Sequence, residues 1–216
     1  MPGQLVIQYT DRCNALCPQC GMRVTERYDR SKIRREDILR IIDAAARRGY
    51  SALSFTGGEP LLYSAEIMEL SRYARERGIE FVRTGTNGYL FMHPERPDFR
   101  DRVSRLAERI AECGLYTFWI SIDSSDALVH ESMRGLPGVV RGIEKALPIF
   151  HEHGVYPSAN LGINRSIGGD SPETVPRRPQ TYQDFREGFR RFYRFVSDLG
   201  FTIVNACYPM SVDGDS

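Results

Sequence analysis

The sequence predicts an α/β protein in which short strands and amphipathic helices alternate around a parallel sheet. Three observations carry that expectation. A helix, a glycine and a short β-rich strand recur as a unit five times, at Arg48-Gly49-Tyr50, Arg77-Gly78-Ile79, Cys113-Gly114-Leu115, His153-Gly154-Val155 and Leu199-Gly200-Phe201. A glycine just past a helix takes the left-handed conformation that side chains disfavour. The helices before these glycines carry apolar residues at steps of three and four, and the segments after them are short and mostly apolar. Such alternation implies right-handed βαβ crossovers and parallel pairing.

The elements follow in order. A first strand is expected at Leu5–Thr10. A helix whose inner face is Ile38, Ile41, Ile42 and Ala45 leads to a second strand, Ala52–Thr56. The third strand is expected at Glu80–Thr86. A helix with Val103, Leu106, Ile110 and Cys113 on one face precedes the fourth, Tyr116–Asp123. The fifth is expected at Tyr156–Ile163, and a Gly-, Pro- and charge-rich loop, Arg165–Thr181, follows it. Phe185, Phe189, Phe192, Val196 and Leu199 mark the last helix, before a sixth strand at Phe201–Ala206. The chain stops soon after, without a helix to cover that strand. The expectation is one core domain over residues 1–216, part of a longer protein. Six units suit an open doubly wound sheet or a partial barrel, and periodicity does not choose between them.

Composition narrows the class. Hydrophobic residues make up 41% of the 216 and charged residues 26%, ordinary for a globular chain. The net charge of +1 points neither to nucleic acid nor to a membrane surface. No run approaches the length of a membrane-spanning helix, and the first residues lack the basic and apolar regions of a signal peptide. Five cysteines, three of them bunched, do not make a secreted disulfide framework. They predict a reducing, cytoplasmic setting in which clustered thiols serve a metal.

The chemistry concentrates at Cys13, Cys17 and Cys20, a C-x3-C-x2-C spacing. Iron–sulfur cubes are normally held by four thiolates, so three leave one iron open. Ligands of α/β sheets bind at the C-terminal ends of the strands. Here the first strand runs into the cysteine loop, and the second ends in Thr56-Gly57-Gly58-Glu59-Pro60. The third ends in Thr84-Gly85-Thr86-Asn87-Gly88 and the fourth in Ser121-Ile122-Asp123. The fifth carries Asn160 and Asn164, the sixth Asn205 and Cys207. Each has a bland reading as well. Gly57-Gly58 and Asn87-Gly88 make tight turns, and Ser121 or Asp123 can cap the next helix or turn. Cys113 belongs on an apolar helix face, and Cys207 can be a packing residue. The four histidines, His93, His130, His151 and His153, show no ligand spacing among themselves, and most read by default as solvated.

Taken together these positions resemble the radical S-adenosylmethionine (radical SAM) enzyme superfamily. The likeness rests on the cysteine triplet with Gly57-Gly58-Glu59-Pro60 one βα unit later. Thr86-Asn87-Gly88, Ser121-Ile122-Asp123, His130 and Arg134-Gly135 reinforce it. It implies a partial (β/α)6 TIM-like barrel with parallel strands. It further implies a [4Fe-4S] cluster on Cys13, Cys17 and Cys20 whose fourth iron chelates S-adenosylmethionine. Gly57, Gly58 and Glu59 would line the methionine amino group, with Thr86 in the same cofactor-binding set. Ser121 and Asp123 match contacts to the methionine carboxylate or the ribose, Asn160 lies near the ribose, and the backbone at Ala206 borders the adenine. The residue before the third cysteine is usually large and apolar in this family. Here it is Gln19, which offers a hydrogen bond to the base instead of packing. The implied chemistry is reductive cleavage of S-adenosylmethionine to a 5′-deoxyadenosyl radical, which takes hydrogen from a substrate the sequence does not name. An electron donor such as flavodoxin or ferredoxin is the implied partner. The 165–181 loop is the candidate lid, and Cys207 the candidate hydrogen-atom donor or ligand of a further cluster. The basic stretch Arg23–Arg35 reads as a solvated approach to a helix, or as a face for an anionic substrate. The competing readings are a [4Fe-4S] redox sensor or electron-transfer protein and a structural zinc site.

Overall fold

The computed structural model describes residues 3–18, 20, 30–174 and 178–207. Six strands form one sheet: β1 (Gln4–Thr10), β2 (Ala52–Gly57), β3 (Phe81–Thr86), β4 (Thr117–Ser121), β5 (Ser158–Gly162) and β6 (Ile203–Cys207). Every pairing is parallel and the spatial order is the chain order, β1 to β6. In a doubly wound sheet the order reverses at a switch point. Here it never does, so the sheet is the wall of a barrel left open between β1 and β6.

The helices among the described residues are α1 (Arg35–Arg47), α2 (Ser64–Glu76), α3 (Phe99–Glu112), α4 (Ala127–Arg134), α5 (Val139–Glu152) and α6 (Tyr182–Leu199). They pack on one face of the sheet. Alternate strand residues on that face, such as Leu53, Phe55, Val82, Ile120 and Leu161, are wholly buried against them. Burying each such side chain contributes roughly 1.5–3 kcal/mol. The expected helix faces lie in or against this core, except that Ile41 stands 36% exposed at its rim and Phe185 is only partly buried outside it. Glycines 49, 78, 114, 154 and 200 all take positive φ just past a helix, as the sequence pattern requires.

Three differences from expectation have local causes. The fifth strand begins at Ser158, because Pro157 has no N–H to give the ladder. The fourth stops at Ser121, because the Asp123 N–H turns away to the His130 ring at 3.1 Å. Between β4 and α5 lies the short helix α4, capped by Asp126, whose carboxylate accepts the Val129 N–H at 2.9 Å. Capping there falls to Asp126 and not to Ser121 or Asp123. No helix of the described residues is long and apolar enough to cross a membrane.

Candidate active site

The three cysteines lie in the loop that leaves β1, each partly buried. Three separate parts of the chain hold that loop. From β2, the Gly58 N–H donates to the Thr10 carbonyl at 2.6 Å and the Glu59 N–H to the Arg12 carbonyl at 2.8 Å. A Cβ on Gly58 would stand 2.1 Å from the Arg12 carbonyl oxygen, and one on Gly57, at φ +127°, 2.3 Å from that of Thr10. The paired glycines are therefore required by close backbone approach. From β3, the Asn87 amide donates to Asn14 Oδ1 at 2.8 Å and reaches Cys13 Sγ at 3.7 Å. From α4, the Arg134 carbonyl accepts the Leu16 N–H at 2.7 Å, and the Leu16 side chain fills the space a Cβ on Gly135 would need. The Ala15 N–H adds a second donor to Cys13 Sγ, at 3.4 Å. Gln19 and most of the basic stretch after the loop lie outside the described residues.

Glu59 is the buried acid of the site, 1% exposed. Its two oxygens accept the N–H groups of Leu61 at 3.0 Å and Asn87 at 2.6 Å. Thr86 donates to it as well, while its hydroxyl oxygen accepts the Gly88 N–H at 3.1 Å. Thr86 thus orients Glu59. Burial pushes the Glu59 carboxyl up to about 7, and the surrounding N–H donors pull the other way.

Asp123 and Arg134 form a second buried pair. The guanidinium donates to both carboxylate oxygens, at 2.7 and 2.9 Å, in the bidentate geometry that strengthens such bonds. Arg134 stays charged and sits near Cys17. Burial pushes the Cys17 thiol up to about 11, and the Arg134 charge opposes that shift. His130, wholly buried, accepts the Asp123 N–H at Nδ1, so its own proton sits on Nε2. Burial lowers it to about 4, which keeps it neutral. The solvated default that most of the histidines carry does not hold for His130.

The remaining polar positions lie on the uncovered, inner face of the sheet. Ser121, Asn160 and Asn205 stand in register across β4, β5 and β6, with the Asn205 amide donating to Asn160 Oδ1 at 2.7 Å. Cys207 is on the same face, exposed, one step beyond at the end of β6, and its thiol reaches the Leu161 carbonyl at 3.5 Å. Asn164 braces the strand ends through the carbonyls of Asp123 and Gly162, both at 2.8 Å. The start of the 165–181 loop is built into the fold. Ile167 is buried, its carbonyl accepts the Ser125 N–H at 3.0 Å, and Ser124 donates to the Ser166 carbonyl at 2.7 Å. Gln180 ties the end of the loop back to the Arg165 carbonyl at 3.1 Å.

Among the described residues no three Cys, His, Asp or Glu side chains converge on the position of one metal ion. A cubane does not ask for that, since each cysteine serves a different iron. N–H donors on a cysteine sulfur and a fixed cation beside another suit an anionic cluster, and both are present at Cys13 and Cys17.

The family model described as the Radical SAM superfamily matches residues 7–170. The chain belongs to the radical SAM superfamily. An AdoMet-dependent heme synthase of Methanosarcina barkeri is 28% identical over 63% of this chain and 36% of its own length. A probable GTP 3′,8-cyclase of Pyrococcus abyssi is 31% identical over 77% of this chain and 49% of its own. The chain thus spans half or less of the length of these radical SAM relatives. Among solved structures, native anSMEcpe with bound AdoMet overlays with a TM-score of 0.63 at 16% identity, over 96% of this chain and 51% of that one. Methylornithine synthase (PylB) overlays with a TM-score of 0.59 at 14% identity, over 99% and 72%. These likenesses show the fold, the partial TIM barrel of radical SAM proteins.

The sequence placed the cysteine triplet and the strand-end motifs correctly along the chain. It did not show that Arg134 and Asn87 act on the cysteine loop, contacts that join residues far apart in sequence. The signal available was the Arg134-Gly135 pair after the fourth strand, without any indication of its partner.

Proposed function

We propose that this chain carries a [4Fe-4S] cluster on Cys13, Cys17 and Cys20 and binds S-adenosylmethionine along the adjacent strand ends, as a radical-generating enzyme core. When bound, the two cofactors supply a 5′-deoxyadenosyl radical that takes a hydrogen atom from substrate. The chain's residues bind and orient. Glu59, fixed by two backbone N–H groups, is an acceptor built for a cation, and the methionine ammonium is one. Gly57 and Gly58 bring backbone close to that group. Ser121 and Asn160 offer hydroxyl and amide groups to the carboxylate and ribose. Asp123 serves through Arg134, holding a positive charge near Cys17. Cys207 stands at the mouth of the inner face, where a thiol can donate a hydrogen atom. A soluble one-electron donor such as flavodoxin or ferredoxin, and a cytoplasmic setting, complete the proposal.

One observation carries this reading: the ends of β2 and β3 and the end of α4 each bond to the cysteine loop. A sensor or electron-transfer protein needs the cysteines but has no use for a buried carboxylate awaiting a cation. The test is to purify the chain without oxygen, reconstitute iron and sulfide, reduce it and add S-adenosylmethionine. Release of 5′-deoxyadenosine and methionine is expected. A cluster inert to the cofactor, or bound zinc in its place, overturns the proposal.

A further inference from the structure

The inner face of the sheet is not occupied by the helices, and its side chains remain open where the barrel is open. Val6 on β1 and Ile203 on β6 are 59% and 52% exposed. The register places Arg83 of β3 on this face, between Ser54 of β2 and Thr117 of β4. Among the described residues it is the only charged one at an inward-facing strand position, and no Asp or Glu stands beside it there. Among the described residues no carboxylate lies within ion-pair distance of its guanidinium. Its Nε is fully buried without an acceptor. Its guanidinium carbon lies 6.0 Å from the centroid of the Tyr116 ring. A buried donor left unpaired is costly, and more so on a charged group.

Trp119 stands on the same face, one row nearer the strand ends. A Cβ on Gly85 would fall 2.0 Å from its ring atoms Cδ1 and Nε1, so the indole lies over bare backbone at Gly85. Ser158, the register partner of Trp119 on β5, has a buried hydroxyl without a hydrogen-bond partner. Four residue steps lead from Thr117, in the Arg83 row, to Ser121, in the row assigned to S-adenosylmethionine. At the rise of a strand that is about 13 Å.

We infer that the inner wall is a substrate subsite in which Arg83 anchors an oxyanion, a carboxylate or phosphate, and Trp119 receives the flat or apolar part of the same molecule. This rests on the proposed function, which puts the radical source at the top row. The substrate class is then a small organic anion, held by its charged end at the bottom of the barrel. The carbon that loses hydrogen lies toward the strand ends.

Trp119 is the chain's single tryptophan, so its emission reports on this wall alone. The reconstituted, S-adenosylmethionine-loaded chain is titrated without oxygen with benzoate, phenyl phosphate and neutral benzamide. Both anions are expected to change Trp119 emission saturably, and benzamide at least tenfold more weakly. Arg83→Gln is expected to weaken the anion response at least tenfold. Thr117→Glu, which sets a carboxylate beside Arg83, is expected to do the same and covers a folding failure of the first variant. Arg191→Gln, on the outer helix α6, is expected to respond as wild type. A response to benzamide equal to that of benzoate, or wild-type titrations in either inner-wall variant, overturns the inference. Substrate-free release of 5′-deoxyadenosine is expected to be the same in Arg191→Gln and wild type. If wild type releases none while the anion response holds, the proposed radical function fails and the oxyanion site stands.

Discussion

Glu59 should make the stability of the cofactor-free chain depend on pH in a direction opposite to that of an ordinary carboxylate. Burial pushes it up to about 7 from 4.5, so the folded chain holds this proton more tightly than the unfolded chain does. The stabilisation is complete below pH 4.5 and is lost as pH rises through 7. With those two values, proton linkage gives a loss of about 2.5 kcal/mol between pH 5 and pH 8. Other groups titrate over this interval, so the quantity to measure is a difference. Urea unfolding of wild type and of Glu59→Gln is followed at both pH values. The variant should be less stable at pH 5, because its amide must face the N–H of either Leu61 or Asn87. That offset is the same at both pH values and cancels. Wild type is expected to lose about 2.5 kcal/mol more than the variant on going to pH 8. Equal losses would refute the reasoning. The same proton governs cofactor binding: S-adenosylmethionine should bind more tightly as pH rises to 7, with nearly one proton released at pH 6 by calorimetry in buffers of different ionisation heat.

Three further outcomes are expected. Arg134→Ala removes the cation that pairs with the buried Asp123 and should cost about 3–5 kcal/mol in urea unfolding of the cofactor-free chain, with less iron held after reconstitution; a cost under about 1 kcal/mol would show that the pair is idle. Gly58→Ala forces a Cβ onto the Arg12 carbonyl and should cost about 1–3 kcal/mol, displacing the cysteine loop. Its iron content should fall while far-UV circular dichroism stays that of wild type. Asn87→Leu removes an N–H donor from Cys13 Sγ, and the cluster's midpoint potential should move to a more negative value because the reduced, more anionic state loses more. An unchanged potential would remove Asn87 from the cluster's surroundings.

The fold was legible because its signals are local. A glycine after a helix and apolar steps of three and four report on neighbouring residues, and all six strands and five of the six described helices follow from them. Helix α4 escaped because it has only eight residues and begins two residues after Ser124-Ser125, where a turn reads equally well. The choice of barrel wall over doubly wound sheet is a matter of strand order, which no local pattern carries. The register settles it.

The site divides along the same line. Cys13, Cys17, Cys20 and Glu59 are readable from short spacings. What holds them is not: the Asp123–Arg134 pair joins residues 11 apart, Asn87 meets Asn14 across 73 residues, and among the described residues Arg83 meets no carboxylate. Arg83 is nonetheless the position where the sequence held an unused signal. In Phe81-Val82-Arg83-Thr84 the outward residue Val82 is buried, and its neighbour on the opposite face is a cation. A strand that alternates between core and solvent explains a charge there only if the far face is wet. In a barrel the far face is the interior. A lone cation on that interior wall, without a carboxylate beside it, is then a demand for an anion from outside the chain.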